Sequence, residues 1–195
     1  MIWFTADTHF YHGHIIDYCN RPARSIDEMN EKLIRNWNDV VKPEDEIYHL
    51  GDFAFCGRTR FIPIINQLNG RKYWVRGNHD RDLAKKEEVK GFFEWIKPLT
   101  KIRIKRMFDV EGAPRPYDQK IVLCHFPILS WEGMAGGTWM LHGHCHGSLK
   151  PDKNKRMDVG VDCHPEFRPF SFLEVEEFMA SRSFEQVDHH KEHSV

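Results

Sequence analysis

Short apolar stretches alternate with segments of helical periodicity through the first half of the chain. Residues 26–41 place apolar side chains every three or four positions, which predicts an amphipathic helix. Ser25 and Glu28 match a capping box at its start, and Pro43 ends it. The other elements predicted here are strands at 2–6, 46–50 and 71–75, a helix at 60–68 and a charged helix or loop at 81–90.

The second half of the chain is richer in predicted strands. Residues 102–105 and 120–123 alternate apolar and polar side chains, so we expect them to pair across the loop between them. The turn-forming residues of that loop are Gly112, Pro114 and Pro116. Two more short strands at 138–141 and 157–161 precede a closing helix from 172 to about 182. Strands that first alternate with helices and later cluster predict an α/β fold of two packed β-sheets flanked by helices.

The chain length and the net charge narrow the range of functions. With 195 residues, the chain suits a single domain, 1–195, with no room for a sizeable cap and with a flexible polar tail at about 186–195. The 28 Lys and Arg residues are balanced by 29 Asp and Glu residues. Proteins that wrap duplex DNA depend on excess positive charge, so this balance gives no strong nucleic-acid signal.

The cysteines and the apolar runs indicate a cellular compartment. The five cysteines are scattered and contain no C-x-x-C pair, so they predict neither a disulfide framework nor a cysteine-rich zinc site. A reducing environment fits them best. The first residues lack a secretory signal and no apolar run is long enough to span a bilayer, which predicts a cytoplasmic protein without membrane association.

Acidic, amide and imidazole side chains follow the carboxyl ends of five predicted strands. They occur in the segments Asp7-Thr8-His9, Gly51-Asp52, Gly77-Asn78-His79-Asp80, Cys124-His125 and His142-Gly143-His144-Cys145-His146. Because the ligand crevice of an α/β sheet lies beyond the carboxyl ends of its strands, we expect these side chains to converge. Oxygen and imidazole donors suit Mn²⁺, Zn²⁺, Fe or Ni²⁺, and there are enough of them for two ions. Two such ions about 3.5–4 Å apart can clamp a phosphoryl group during its hydrolysis.

The ordered set of motifs D-x-H, G-D, G-N-H-D, a single His and G-H-x-H is similar to the signature of calcineurin-like metallophosphoesterases. The motifs extend from Asp7 to His146, and each stands at the end of a predicted strand. The segments D-T-H-F, Y-C-N-R-P and Y-H-L-G-D-F resemble, more locally, the small stand-alone phosphoesterases of bacteria and phages. This resemblance implies a four-layer αββα sandwich of two mixed sheets.

The resemblance also implies a role for each motif residue. One metal ion is expected to be bound by Asp7, His9 and His146, the other by Asn78, His125 and His144, with Asp52 bridging the two. His79 is expected to be the catalytic residue that stabilises the transition state and protonates the leaving oxygen, while a metal-bridging hydroxide attacks phosphorus. The donor types leave Mn, Fe, Ni and Zn open as the metal, with Mn favoured.

The second motif departs from that of the protein phosphatases in the same superfamily. Those enzymes continue it as G-D-x-V-D-R-G, whereas this chain reads G-D-F-A-F-C-G from Gly51 to Gly57. The missing acid–arginine pair argues against a phosphoprotein substrate and leaves the orientation of His79 to another group. We therefore expect hydrolysis of phosphodiesters or small phosphorylated metabolites, nucleotides among them.

Three side chains outside the motifs are weaker candidates for contacting the substrate: Arg21, Arg58 and His12. A guanidinium matches phosphate in a bidentate way, but exposed arginines more often form surface salt bridges. His12 fits a solvated loop at least as well as a site edge. His142 is either a partner of the metal ligands or a core histidine.

Two other functions can be built on the same residues. One is a non-catalytic protein-interaction module of this fold; a retromer subunit of that kind lacks the histidine corresponding to His79, which this chain keeps. The other is a single structural zinc site made from residues 142–146 and cysteines. The sequence leaves the oligomeric state open.

Overall fold

The computed structural model describes residues 1–110, 113–150 and 152–185, and it describes side chains outside 107–115. The polar tail predicted at 186–195 lies outside the described residues. Among those residues, no helix combines the length and the apolar character that crossing a bilayer requires.

The first sheet is built on parallel strands from the amino-terminal half. Its members are β1 (Ile2–Thr5), β2 (Glu46–His49), β3 (Arg71–Val75), β4 (Trp95–Lys97) and β9 (Phe170–Ser171). They are ordered β4-β3-β2-β1-β9. Strands β1 to β4 run parallel, and β9 pairs antiparallel with β1, so the sheet is mixed. The parallel strands direct all their carboxyl ends to one edge of the sheet.

The second sheet contains the four remaining strands. These are β5 (Leu99–Val110), β6 (Ala113–Cys124), β7 (Trp139–His142) and β8 (Arg156–Asp158), in that order across the sheet. Strands β5 and β6 are antiparallel, whereas β6, β7 and β8 run parallel. The prediction of an α/β fold with two mixed sheets is confirmed.

Five α-helices accompany the sheets in the described residues. They are α1 (His14–Tyr18), α2 (Ile26–Val40), α3 (Arg58–Ile65), α4 (Glu87–Lys90) and α5 (Phe172–Ala180), with 3₁₀ helices at Leu83–Lys85 and Val161–Cys163. Ser25 caps α2 through the Glu28 amide, as predicted, but the Glu28 carboxylate accepts a hydrogen bond from the Arg24 amide instead. The complete capping box is at α5, between Ser171 and Glu174.

Successive residues of the first sheet point into two different cores. One set packs beneath α2 and α3, and it includes Trp3, Ile47 and Trp74. The alternate set faces the second sheet, and it includes Phe4, Tyr48 and Val75. Ile121, Leu123 and Leu141 meet this second set from the other side, so the interior of the sandwich is a continuous apolar layer. The two sheets therefore pack face to face, with the carboxyl ends of their parallel strands at a common edge.

The pairing of β5 with β6 extends much further than the sequence predicts. The predicted loop residues Pro114 and Pro116 lie inside β6, opposite Asp109 and Met107. Strand β7 pairs with β6 only at 121–123, so this part of β6 borders a partner on one side alone. Proline lacks an amide donor and is tolerated in such an edge strand. The prediction of a loop at Pro114 and Pro116 is wrong because pairing with β5 overrides their turn preference, while the third predicted loop residue, Gly112, lies outside the described residues.

Candidate metal centre

The predicted ligand loops are joined to one another by backbone hydrogen bonds. The amide of Asp7 donates to the Gly51 carbonyl at 2.9 Å, and the amide of His9 donates to the Asp52 carbonyl at 3.0 Å. On the second sheet, the amide of Gly143 donates to the His125 carbonyl at 3.0 Å. An isolated bridge between Ala6 and Gly160 links the two sheets. The sequence therefore assembles the loops as one unit.

Positive φ angles are concentrated in these loops. Five of the seven predicted ligands adopt them, namely Asp7, His9, Asp52, His144 and His146. Such a conformation is strained for a residue with a Cβ atom, by about 1–3 kcal/mol each, and it persists only where the surroundings impose it. The concentration of strain at these positions marks the loops as a functional site.

Asp7, His9 and His146 form one group of candidate donors, with ligand atoms within 4.8 Å of one another. Oδ2 of Asp7 accepts a hydrogen bond from the His144 amide at 2.9 Å. Oδ1 of Asp7 and Nε2 of His9 are buried with no hydrogen-bond partner. Buried polar atoms without partners are rare, and a cation bound between these two atoms would give a partner to both.

Burial shifts the pKa values of Asp7 and His9 in opposite directions. Burial raises the pKa of Asp7 to about 7, although the nearby His146 and His125 lower it. Burial also lowers the pKa of His9 to about 3, so its imidazole is neutral and has a free lone pair at neutral pH. A bound cation favours the ionised carboxylate and the neutral imidazole, which are the forms that coordinate it.

Asp52, His125 and His144 form a second group within the same distance limit. Nδ1 of His125 lies 2.8 Å from the Leu50 carbonyl and must therefore carry a proton. Its Nε2 faces two acceptors, Oδ1 of Asn78 at 3.0 Å and Oδ2 of Asp52 at 3.4 Å. A lone pair that faces two oxygen acceptors requires a proton or a cation between them. Oδ1 of Asn78 therefore lies beside the second group, within hydrogen-bond distance of His125.

The Asp52 carboxylate lies between the two groups. Its Oδ2 is 3.6 Å from Nε2 of His9, 3.4 Å from Nε2 of His125 and 3.9 Å from Nε2 of His79. Burial alone would raise the pKa of Asp52, but its hydrogen bond to His125 and the adjacent positive charge hold that pKa below its usual range. Asp52 is therefore ionised, and its Oδ2 lies within 4 Å of a histidine from each group.

Asp80 binds the backbone of the two loops that carry Asp52 and Asn78. Its buried carboxylate accepts hydrogen bonds from the backbone amides of Asp52, Phe53 and Gly77 at 2.7–2.9 Å, and from the Trp74 indole at 3.2 Å. Burial raises the pKa of Asp80 to about 6, against these hydrogen bonds. Asp80 therefore connects the loops after β2 and β3, a role that its position beside His79 in the sequence does not reveal.

His79 stands at the open side of the centre, with 41% of its side chain exposed. Its backbone amide donates to Oδ1 of Asp52 at 2.9 Å. Its ring packs edge-on against Phe55 and His9, with centroids 5.3 and 5.7 Å away. These rings and the Asp52 carboxylate are the neighbours that can orient the imidazole. The acid–arginine pair of protein phosphatases is missing from this chain.

The three weaker candidates occupy different environments. His12 lies at the rim, where its ring stacks on Phe55 at 4.4 Å and its Nδ1 is 3.2 Å from Nδ1 of His9. Arg58 forms an exposed ion pair with Glu88, which agrees with the surface alternative. Arg21 is buried, and it is bonded to protein groups beside the first donor group.

Two further polar side chains, those of His142 and Asp162, have defined partners in the structure. His142 is buried and donates to the carbonyl of Gly143 at 2.8 Å, as a core histidine would. Asp162, which sequence analysis did not single out, accepts a hydrogen bond from Nδ1 of His146 at 2.7 Å. Together with Cys19 and His146 it forms a third group of potential ligands in the described residues, but that group shares His146 with the first.

The donor groups open into one cleft of about 790 Å³. Tyr18 and Ser148 border it, and Asp52 and His79 lie in its wall. The unpartnered atoms are Oδ1 of Asp7 and Nε2 of His9, and the oxygens of Asn78 and Asp52 face Nε2 of His125. Oxygen and imidazole atoms of this kind are the ligands that divalent cations such as Mn²⁺ and Zn²⁺ bind. The residues present therefore fit two metal ions.

Comparisons with known proteins agree with this geometry. The chain is 34% identical over 170 residues to the uncharacterized protein MJ1445 of Methanocaldococcus jannaschii, covering 83% of this chain and 81% of that protein. It is 26% identical over 183 residues to the gene 66 protein of Mycobacterium phage L5, covering 82% and 86% of the two chains. The crystal structure of AQ665 from Aquifex aeolicus, a protein of unknown function, superposes with a TM-score of 0.63 at 25% identity, covering 91% of this chain and 98% of the other. Residues 1–164 match the model of the calcineurin-like phosphoesterases, and the chain therefore belongs to that family.

Proposed function

We propose that the protein is a phosphodiesterase that cleaves small phosphodiesters, nucleotides among them, with two divalent metal ions, manganese being favoured. Membership of the family supports metal-dependent phosphoester hydrolysis in general. The observation that carries the proposal is the position of the Asp52 carboxylate between two donor groups, with His79 on the open side.

In this proposal each ion has its own set of residues. Asp7, His9 and His146 hold one ion, Asn78, His125 and His144 hold the other, and Asp52 is shared. When bound, such ions supply Lewis-acid activation of the phosphoryl group and of the attacking water. Nearly all of these donors are buried or half-buried, which limits competition from bulk water.

His79 is the proposed proton donor to the leaving oxygen. Its Nε2 is 3.9 Å from Oδ2 of Asp52, too far for a hydrogen bond, so the imidazole is not committed to that carboxylate. Its partial exposure lets it reach a substrate that enters through the cleft. Histidine is the side chain that most often transfers a proton as a general acid in enzymes.

Two exposed phenylalanines favour a substrate with an organic group on each side of phosphorus. Phe55 is 52% exposed and lies against His79, while Phe126 is 44% exposed and lies 4.8 Å from the His144 ring. Phe55 therefore adjoins the proposed proton donor, and Phe126 adjoins the second donor group. A diester has two ester groups that can contact these rings, whereas a monoester has one.

The proposal is tested by hydrolysis of bis-p-nitrophenyl phosphate and p-nitrophenyl phosphate. Protein stripped of metal by chelation is expected to be inactive and to regain activity with Mn²⁺, with the diester cleaved faster than the monoester. A preference for the monoester would overturn the phosphodiesterase assignment. Two bound ions without turnover of either compound would overturn catalysis and favour the non-catalytic interaction module.

The phenylalanine contacts give a separate prediction about substrate binding. Phe55→Ala and Phe126→Ala should each raise KM for the aryl diester about 3- to 10-fold, the equivalent of one aromatic contact. The matched control is Phe184→Ala, since Phe184 is 47% exposed and its neighbours Ser183 and Glu185 hydrogen-bond to Lys153 and Asn154, which belong to neither donor group. Steady-state kinetics at saturating Mn²⁺ provide the measurement. Unchanged KM in both variants would remove this support for a diester.

A further inference from the structure

The side chain of Arg21 has no exposed surface and makes five hydrogen bonds within the protein, one of them to the Met29 sulfur at 3.5 Å. Nε and one terminal nitrogen donate to the two carboxylate oxygens of Asp162, at 2.9 and 2.8 Å. The terminal nitrogens also donate to the backbone carbonyls of Thr8 at 2.8 Å and Asp7 at 2.6 Å. With its donors occupied in this way, the guanidinium is not available to a phosphate in the cleft.

Asp162 extends this network to a metal-ligand candidate. Its side chain is 6% exposed, and Oδ2, besides accepting from Arg21, accepts from Nδ1 of His146 at 2.7 Å. Nδ1 of His146 therefore carries a proton, so Nε2 is the nitrogen left to bind a metal ion. A carboxylate that fixes the tautomer and orientation of an imidazole in this way also increases its strength as a ligand.

We propose that Arg21 and Asp162 are positioning residues for the first metal ion. Arg21 holds the backbone at Asp7 and Thr8, and Asp162 holds the ring of His146. Together they fix the positions of two of the three members of the first donor group, Asp7 and His146. The inference rests on the proposed binding of two ions, but it concerns metal affinity and is independent of catalysis.

The network requires these particular residue types. The planar guanidinium matches both carboxylate oxygens and still reaches the two carbonyls, whereas a lysine ammonium cannot form the paired contact. Phe167 lies 5.3 Å from the guanidinium and covers it. In the second donor group, the Nδ1 proton of His125 is bonded to the Leu50 carbonyl and not to a carboxylate. Changes to the network should therefore affect the two ions unequally.

The experiment is a titration of metal-free protein with Mn²⁺, followed by calorimetry and by electron paramagnetic resonance. Asp162→Ala should weaken one of two binding events about 100-fold and leave the other within about threefold. The spin-coupled signal of the ion pair should be replaced by that of isolated Mn²⁺ at ion concentrations that saturate the wild type. Asp162→Asn, which keeps an acceptor for His146, and Arg21→Lys should each show a smaller loss, about 10-fold.

Asp45→Asn is the matched control. Asp45 is also buried, but it lies near the amino end of β1, where it accepts hydrogen bonds from the Trp3 indole and the Lys42 amide. This variant should lower the melting temperature and leave both binding events unchanged. His189, His190 and His193 are present in every variant, so any ion bound by these histidines cancels in the comparison.

The outcomes separate the inference from the proposed function. Wild-type protein that binds fewer than two ions would contradict the proposed function itself. Two ions bound with wild-type affinity by Asp162→Asn and Arg21→Lys would overturn the positioning role alone. Equal weakening of both ions would also overturn it, because a purely structural contribution to folding predicts that result. If Asp162→Ala does not fold, the isosteric Asn variant decides the question.

Discussion

Replacement of His79 by alanine is expected to lower kcat for a phosphodiester by about 10²–10⁴-fold, the usual contribution of a general acid. The imidazole stands at the open side of the centre, and its Nε2 is 3.9 Å from the shared carboxylate of Asp52. The measurement is steady-state hydrolysis of bis-p-nitrophenyl phosphate at saturating Mn²⁺. A leaving group of low pKa needs less protonation, so the loss should be larger for an alkyl ester than for a nitrophenyl ester.

Metal binding provides the control for His79. The side chain is not one of the proposed ligands, and the His79 backbone amide that holds Oδ1 of Asp52 is retained in the alanine variant. The variant should therefore bind the same number of ions as the wild type. Full activity in His79→Ala would contradict the proton-donor role, and loss of an ion would show that His79 belongs to the metal ligands.

Gly77→Ala is expected to inactivate the centre although it replaces none of the proposed ligands. A Cβ atom at this position would lie 2.1 Å from Oδ1 of Asp52 and 2.5 Å from its backbone nitrogen. These distances are far below van der Waals contact, so the carboxylate and its loop must move. A displacement of about 1 Å in a catalytic group can cost about 100-fold in rate. We expect at least that loss of kcat/KM, together with weaker binding of both ions, measured by kinetics and by titration.

The control for this variant is Gly91→Ala. Gly91 has a helical φ of −62°, and a Cβ atom there meets nothing within 4 Å. Activity and ion affinity should be unchanged in it. Wild-type activity in Gly77→Ala would mean that the loop after β3 lies further from Asp52 than the structure has it.

The ligand loops were predictable because each motif stands directly after an apolar strand. Parallel strands of one sheet bring such positions to one edge, so a linear pattern was sufficient to predict convergence of Asp7, Asp52 and Asn78, which follow β1, β2 and β3. Asp162 escaped prediction for the opposite reason. It lies 141 residues from Arg21, and no periodicity connects the two. Long-range hydrogen bonds between single residues leave no local pattern in a sequence.

Local propensity also failed where elements are short or unusually placed. Strand β9 has two residues and β4 has three, which is too few for an alternating pattern to be recognised. Helix α1 falls in a segment that reads as a polar loop. Pro114 and Pro116 carry a turn signal, but pairing with β5 overrides it. In each case a tertiary contact determines the local structure.

The link between Ala6 and Gly160 joins the two sheets at the edge where the candidate ligands meet. Asp7 and His9 extend from the first sheet, whereas His125, His144 and His146 extend from the second. A metal ion bound by residues of both sheets is therefore a cross-link that resists their separation. Its binding free energy adds to the free energy of unfolding, by about 2.7 kcal/mol when the free ion exceeds its dissociation constant 100-fold. In the proposed function, the supply of metal therefore sets the stability of the packing between the two sheets as well as the completeness of the centre.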